Sequence, residues 1–239
     1  IFISKLDASG NFVWAKSMGG VDFDYSQGIA VDVSGNVYTS GNLTGTVDFD
    51  PNAGVFNLTS AGGRDIFISK LDASGNFVWA KSIGGINFEE IYSIAVDGYG
   101  NVYTTGSFNG TVDFDPNAGV TNLTSTGSAD IFISKLDASG NFMWARNVGG
   151  VSFDEGYSIT IDGSENIYIT GHFNGTADFD PNAGVSNLTS AGSNNIFIAK
   201  YLPCPTITIN STTLPNATVS ITYNQTITQT GLSGAVTWS

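Results

Sequence analysis

The stretch IFISKLDASGNF at Ile1–Phe12 returns unchanged at Ile66–Phe77 and Ile131–Phe142, and its opening recurs as IFIAKY at Ile196–Tyr201. The copies begin at residues 1, 66, 131 and 196, a period of 65 that never slips. Self-similarity at a fixed period marks a stacked or radial repeat architecture, in which each unit buries apolar surface against its neighbours. The stretch itself reads as one strand, a tight turn at Ala-Ser-Gly-Asn and the start of a second strand, because Gly and Asn tolerate the positive φ of a hairpin.

Working outward through the second unit, four β-type runs follow: IFISKLD (66–72), FVWAKSI (77–83), YSIAVD (92–97) and NVYTTGSF (101–108). Each is rich in β-branched and aromatic residues and bounded by turn residues. Gly-Tyr-Gly-Asn joins the last two as a second hairpin. No run has a helical period, and 30 glycines disfavour helix further. IFISKL and YSIAV are apolar or small on both faces, so these strands need neighbours on each side. Four-stranded antiparallel sheets set radially supply that, whereas a parallel β-helix needs shorter coils. Small Ser93, Ala95 and Gly98 suit a crowded centre, which makes YSIAVD the innermost strand A, NVYTTGSF strand B, IFISKLD strand C and FVWAKSI the rim strand D. The fold class is all-β, built of β-propeller blades.

The pattern IFISKLDASGNFVWAKSIGG…YSIAVDGYGNVYTTGSFNGTVDF resembles the bacterial seven-bladed beta-propeller type repeat family, over residues 1 to about 202. That resemblance implies a secreted or cell-surface bacterial protein and carries no common catalytic residues. Three full units and a stub fall short of the four blades that closure requires, so an open arc of about three blades is expected in 1–202. At 203–239 the composition changes. From Leu202 onward there is no Asp, Glu, Lys or Arg, and LPNATVSITYNQTI…GLSGAVTWS resembles the opening strands of immunoglobulin-like domains of bacterial surface proteins. Such sandwiches take about 100 residues, so this segment is expected to be a truncated one. With no initiator Met and no leader pattern at its start, the chain is expected to be a section of a longer polypeptide.

Charge excludes several functions. Eight basic residues against 21 acidic ones give a net charge of −13. Phosphate recognition needs a clustered basic surface, so nucleic acid and anionic lipid are not expected partners. No apolar run reaches a membrane span. Cys204 is the single cysteine and has no second thiol for a disulfide or a zinc pair. Trp14, Trp79 and Trp144 recur at one strand D position and read as packing between blades rather than as sugar platforms. The spacing Asp7…Gly10…Trp14 departs from the Asp-box of sialidases, and no metal-ligand set or paired cysteines support a quinoprotein. His172, the only histidine, is replaced by Asn42 and Ser107 in the other units, which argues against a catalytic base. No enzymatic constellation is expected.

The acids are more informative. In a propeller the D-to-A and B-to-C connections emerge on one face, and twelve of the 21 acids fall in them. Asp22, Asp24, Glu89, Glu90, Asp154 and Glu155 lie in D-to-A loops, and Asp48, Asp50, Asp113, Asp115, Asp178 and Asp180 in B-to-C loops. The second set belongs to DFDPNAG, which repeats unchanged at 48–54, 113–119 and 178–184. Asp-Pro-Asn-Ala fits a type I turn. Asp and Asn at its first, third and fifth positions also imitate the start of a calcium loop, yet Ala53 and Thr59 stand where that loop needs Gly and a bidentate acid. Both readings remain open, calcium being completed by the neighbouring D-to-A acids. The function expected is a non-enzymatic module presenting an acidic face to a protein, glycan or ion. A calcium-dependent adhesion module, a structural spacer and a fragment of an enzyme with its active site in further blades are the alternatives.

Overall fold

In the computed structural model, the structure describes residues 1–202, 208–209 and 229–230. The chain divides into two compact units, Ile1–Tyr201 and Leu202–Ser239. Of the second, Leu202, Thr208–Ile209 and Gln229–Thr230 are described, the last two pairing antiparallel. The immunoglobulin-like reading of 203–239 and Cys204 lie outside the described residues.

In the first unit, β1 (Phe2–Leu6) and β2 (Phe12–Ser17) form a hairpin, followed by β3 (Gly19–Gly20). Next come β4 (Tyr25–Val31), β5 (Val37–Leu43), β6 (Thr46–Asp48), β7 (Asn57–Thr59), β8 (Asp65–Leu71) and β9 (Phe77–Ile83). Strands β4-β5-β8-β9 make one four-stranded antiparallel sheet, the A-B-C-D order read from the sequence. The pattern repeats with β10 (Glu89–Val96), β11 (Val102–Phe108), β12 (Thr111–Asp113), β13 (Asn122–Thr124), β14 (Asp130–Leu136) and β15 (Phe142–Gly150), where β10-β11-β14-β15 is the second blade. Finally β16 (Glu155–Ile161), β17 (Ile167–Asp178) and β18 (Asn187–Tyr201) form an A-B-C sheet. The 65-residue sequence unit thus supplies strands C and D of one blade and A and B of the next. Three periods and a stub yield, among the described residues, two complete blades flanked by a C-D hairpin and an A-B-C sheet.

The missing flanks show in burial. Ile94 and Ile159 on strand A are 7% and 5% exposed, each covered by the preceding blade, whereas the equivalent Ile29 is 60% exposed because β1 and β2 have no A and B partners. Ile66 and Ile68 on strand C are fully buried, whereas Ile196 and Ile198 are exposed, with no further blade over them among the described residues. Two-faced burial, inferred from the apolar text of IFISKL, therefore holds only for blades with a neighbour on each side.

Successive blades are joined by one repeated grip. Lys5 Nζ and Trp14 Nε1 both donate to the main-chain oxygen of Ala73, at 3.0 and 3.3 Å, in the Ala-Ser-Gly-Asn turn of the next blade. Lys70 Nζ and Trp79 Nε1 do the same to Ala138, each at 3.2 Å. The Lys70 amine also lies 4.8 Å above the ring of Tyr38, which meets Trp79 edge-on at 6.2 Å. A nearly buried ammonium is tolerated because a carbonyl and an aromatic face replace its water. Trp14 and Trp79 are thus interblade packing residues, as their fixed position implied.

The hairpin turns are locked by their aspartates. Asp7 Oδ1 accepts from the amides of Ser9 and Asn11, and Asp7 Oδ2 from the Asn11 side chain; Asp32, Asp72, Asp97, Asp137 and Asp162 repeat this hook. The turn needs a left-handed residue, which is Gly35 and Gly100 in two A-B hairpins but Glu165, at φ 61°, in the third. A side chain there strains the backbone by roughly 1–2 kcal/mol. Glu165→Gly is expected to raise stability by about 1 kcal/mol, read as a shift of the denaturant midpoint at constant slope. Trp79→Ala, which removes a buried ring and the grip on Ala138, is expected to cost about 3–5 kcal/mol in the same measurement.

Candidate functional site

DFDPNAG occupies the tip of a small hairpin inserted between strands B and C, not a simple connecting loop. Strands β6 and β7 pair from Thr46↔Thr59 to Asp48↔Asn57, and β12 and β13 repeat this. The middle Phe pins the hairpin to its own blade: Phe49 on Phe67, Phe114 on Phe132 and Phe179 on Phe197, with ring centroids 4.9, 5.2 and 4.8 Å apart. The preceding blade holds the hairpin as well. Gly19 and Gly20 pair with Asp48 and Val47, and Gly149 and Gly150 with Asp178 and Ala177. Lys16 and Lys81, on the preceding D strands, each donate to the tip Asn, Asn52 and Asn117, at 2.8 Å.

Its carboxylates are spent on the turn. Asp48 Oδ1 accepts from the amides of Asp50 and Phe56, Asp113 Oδ1 from Asp115 and Thr121, and Asp178 Oδ1 from Asp180 and Ser186. Asp50, Asp115 and Asp180 each accept the amide of the Asn two residues on. A Cβ on Gly54 would lie 2.1 Å from Asp50 Oδ2, so any other residue at the last position of the motif would displace that carboxylate. The turn reading accounts for every residue of the stretch.

The D-to-A acids tie the two connections together. Asp24 Oδ2 accepts from Gly20 N and Oδ1 from Thr44 N, while Asp154 Oδ2 accepts from Gly150 N and Oδ1 from Asn174 N. Asp22 sits against Gly45. Among the twelve acids assigned to this face, only Asp22 is exposed; Glu89, Asp154 and Glu155 are buried and the other eight half-buried. Nine of the twelve accept main-chain amides, so this acidic face is in large part a half-buried frame of carboxylates serving the turns. Among the described residues, no group of three or more His, Cys, Asp or Glu side chains is placed to hold a metal ion, so Asp48 and Asp50 do not join Asp22 and Asp24 in such a set.

Two side-chain clusters lie where strand A of one blade meets its neighbour. In the first, Arg64 pairs with Glu90 across the seam, and its guanidinium lies 5.1 Å from the ring centre of Tyr25 and 5.8 Å from that of Phe88. In the second, Glu155 accepts from the hydroxyls of Tyr92 and Tyr157, each at 2.7 Å, with His172 Nδ1 at 3.7 Å. Asp65 and Asp130, at the start of strand C, are also buried. Neither is among the acids that the sequence singles out; the signal for them is the lone acid directly before IFISK.

Burial separates the two ends of the blades electrostatically. At the hairpin end the side chain and amide of Asn11 hold Asp7 below the usual carboxyl range, and those of Asn166 hold Asp162 down to about 2. At the other end burial pushes Asp65, Asp130 and Asp154 up and Glu89 up to about 7, against the lowering bond from Gly85 and with a further push from the charge of Asp65.

Residues 78–112 match the family described as Beta-propeller repeat. The chain is 30% identical over 224 residues to an uncharacterized WD repeat-containing protein of Acanthamoeba polyphaga mimivirus, an alignment covering 79% of this chain and 16% of that protein. It is 25% identical over 161 residues to the regulatory protein FlaEY of Caulobacter vibrioides, covering 66% of this chain and 17% of that protein. The chain thus spans about a sixth of the length of these relatives, by those shares. A crystal structure of a protein of unknown function from Bacteroides caccae is similar at 12% identity and a TM-score of 0.27, over 67% of this chain and 75% of that one. The chain carries a beta-propeller repeat.

A group held above its unfolded value binds protons more tightly in the native state, so its contribution is full below the unfolded value and lost as pH rises through the folded one. For Glu89 that window runs from 4.5 to about 7 and is worth about 3 kcal/mol. In chelated buffer, the denaturant midpoint is expected to rise as pH falls from 8 to 5, and Glu89→Gln to flatten most of that rise. An unchanged pH slope in the variant would place the titrating group elsewhere.

Proposed function

We propose that the chain is a non-enzymatic repeat module of a secreted or cell-surface bacterial protein, presenting the A-strand mouth of its blades to a protein ligand. The observation that carries this reading is where the near-identical repeats differ. Six positions carry three different residues in the three full units. One is a buried aliphatic, Met18, Ile83 or Val148, and one follows the DFDPNAG turn, Phe56, Thr121 or Ser186. The other four are Asp22/Asn87/Ser152, Ser26/Ile91/Gly156, Asn42/Ser107/His172 and Arg64/Ala129/Asn194. All four sit at the end of the blades where D leads to A and B leads to C, with Tyr25↔Asn42 and Glu155↔His172 as direct partners across β4–β5 and β16–β17. A rigid scaffold that varies one loop cluster is suited to recognition.

The same end leaves large apolar side chains in solvent: Val21 and Phe23, Ile86 and Phe88, Val151 and Phe153, one pair per D-to-A loop. Exposed aliphatic and aromatic groups beside the carboxylates of Glu90 and Glu155 favour a protein partner with apolar and basic side chains over a glycan. The chain spans about a sixth of the length of these relatives, which is compatible with a module inside a larger protein.

Binding to peptide and glycan arrays by three forms of the chain tests the reading. Phe88→Ser with Phe153→Ser is expected to lower the peptide signal at least tenfold, while Asn52→Ala at the DFDPNAG tip leaves it unchanged. A signal confined to glycans, or one lost only with Asn52→Ala, would overturn the assignment.

A further inference from the structure

We propose that two copies of this chain exchange strands and close into one six-bladed ring, in which β16 and β17 of each copy are completed by the β1-β2 hairpin of the other. The two outer sheets are complementary halves of a blade. β1 and β2 are strands C and D without A and B, whereas β16 and β17 are strands A and B that carry β18 as C without D. Residues 1–6 (IFISKL) and 196–201 (IFIAKY) are the same strand of the repeat, so β1 fits the edge of β17 in the register that β18 holds.

Burial marks the surfaces that await this partner. Phe2 is 78% exposed, whereas the same residue of strand C is buried at Phe67, Phe132 and Phe197. In those three copies the Phe lies opposite a strand B glycine, Gly41, Gly106 or Gly171, and against the ring of the DFDPNAG hairpin, Phe49, Phe114 or Phe179. β1 pairs with β2 alone, so Phe2 meets neither in its own chain and finds both, Gly171 and Phe179, on a second copy. On β4, Ile29 is exposed while its equivalents Ile94 and Ile159 are buried. Inside the chain that position is covered by strands A and B of the preceding blade. A Cβ on Gly28 would touch Ile94, Ser93 Oγ accepts the amide of Ile159 at 3.2 Å, and a Cβ on Gly156 would touch Thr105 of β11. β16 and β17 of a second copy offer β4 the same two strands.

Docking β16 and β17 on β4 brings β18 to the place that β1 occupies, so one of them leaves. β1 and β2 are tied down, the Ile1 amine donating to Met18 O at 2.9 Å and Lys5 and Trp14 to Ala73 O. Residues 196–201 of β18 pair with β17 alone, and Ile196 and Ile198 are already exposed. β18 therefore yields. Phe2, Ser4 and Leu6 take the places of Phe197, Ala199 and Tyr201, a strand D is added, and Ile29 is covered at both junctions. Exchange of identical elements is a low-cost route to dimers. A single chain cannot make the joint with itself, because it would close on three blades where propellers take roughly four to eight. Two chains supply four complete blades and two hybrid ones, which is six.

Sedimentation velocity of the full chain over a dilution series tests this. A dimer of about 50 kDa, twice the 25.0 kDa of one chain, is expected with no larger species. Phe2→Asp and Ile29→Asp charge side chains that are exposed in one chain and buried in the ring. Each is expected to weaken the dimer by roughly a hundredfold or more and to leave the melting temperature of the dilute monomer unchanged. Phe197→Asp, at the same place in the repeat as Phe2, is expected to keep the dimer, because residue 197 is released by the exchange. A monomer at every concentration overturns the proposal, as does a ladder of species longer than two, which means stacking without closure. A dimer that survives Phe2→Asp overturns it equally, as does one lost with Phe197→Asp in protein that still melts cooperatively.

Discussion

A four-stranded sheet whose strand C reads IFISKL has no solvent face, so it persists only when another sheet covers each side. Every other feature of this molecule follows from meeting that demand with copies of itself. Ile66, Ile68, Ile131 and Ile133 are buried because a blade lies on either side, and the same residues at Ile196 and Ile198 stand in solvent because none does. Burial in the repeat is thus a property of neighbours rather than of residues, as expected when stability is a sum of units and their interfaces.

The contacts that align one blade on the next are polar and few, and they are placed at both ends of the seam. At the hairpin end Trp and Lys reach forward to a single carbonyl in the Ala-Ser-Gly-Asn turn. At the other end the DFDPNAG hairpin reaches back, pairing with the Gly-Gly of the preceding D strand and taking a lysine on its Asn. Because these stretches must fit the next copy as well as their own, they tolerate little change, and they are the parts of the sequence that repeat without variation. Variation is concentrated at the A-strand mouth, where Arg64 meets Glu90 and Tyr92 meets Glu155 across the seams.

Carboxylates titrate in opposite directions according to the donors that reach them, Asp178 at the DFDPNAG hairpin being lowered by the amides of Ser186 and Asp180. Asp7 and Asp162 are lowered because turn amides and an Asn side chain stabilise the charge. Glu89 and Asp65 are raised because burial removes water and the protein returns too few donors. Composition counts both as acids and cannot separate them, since the difference lies in how many amides point at each group.

By itself the sequence determined the strands, their A-B-C-D order, the hairpin turns and the interblade role of the tryptophans, because a 65-residue identity, period-free apolar runs and Gly-Asn turns are local signals. It also showed DFDPNAG to be compatible with a turn. Only the tertiary structure decided that DFDPNAG tips a hairpin clasped by the preceding blade, and that most of the acids counted as an outer face accept main-chain amides. The clasp depends on contacts between residues tens of positions apart.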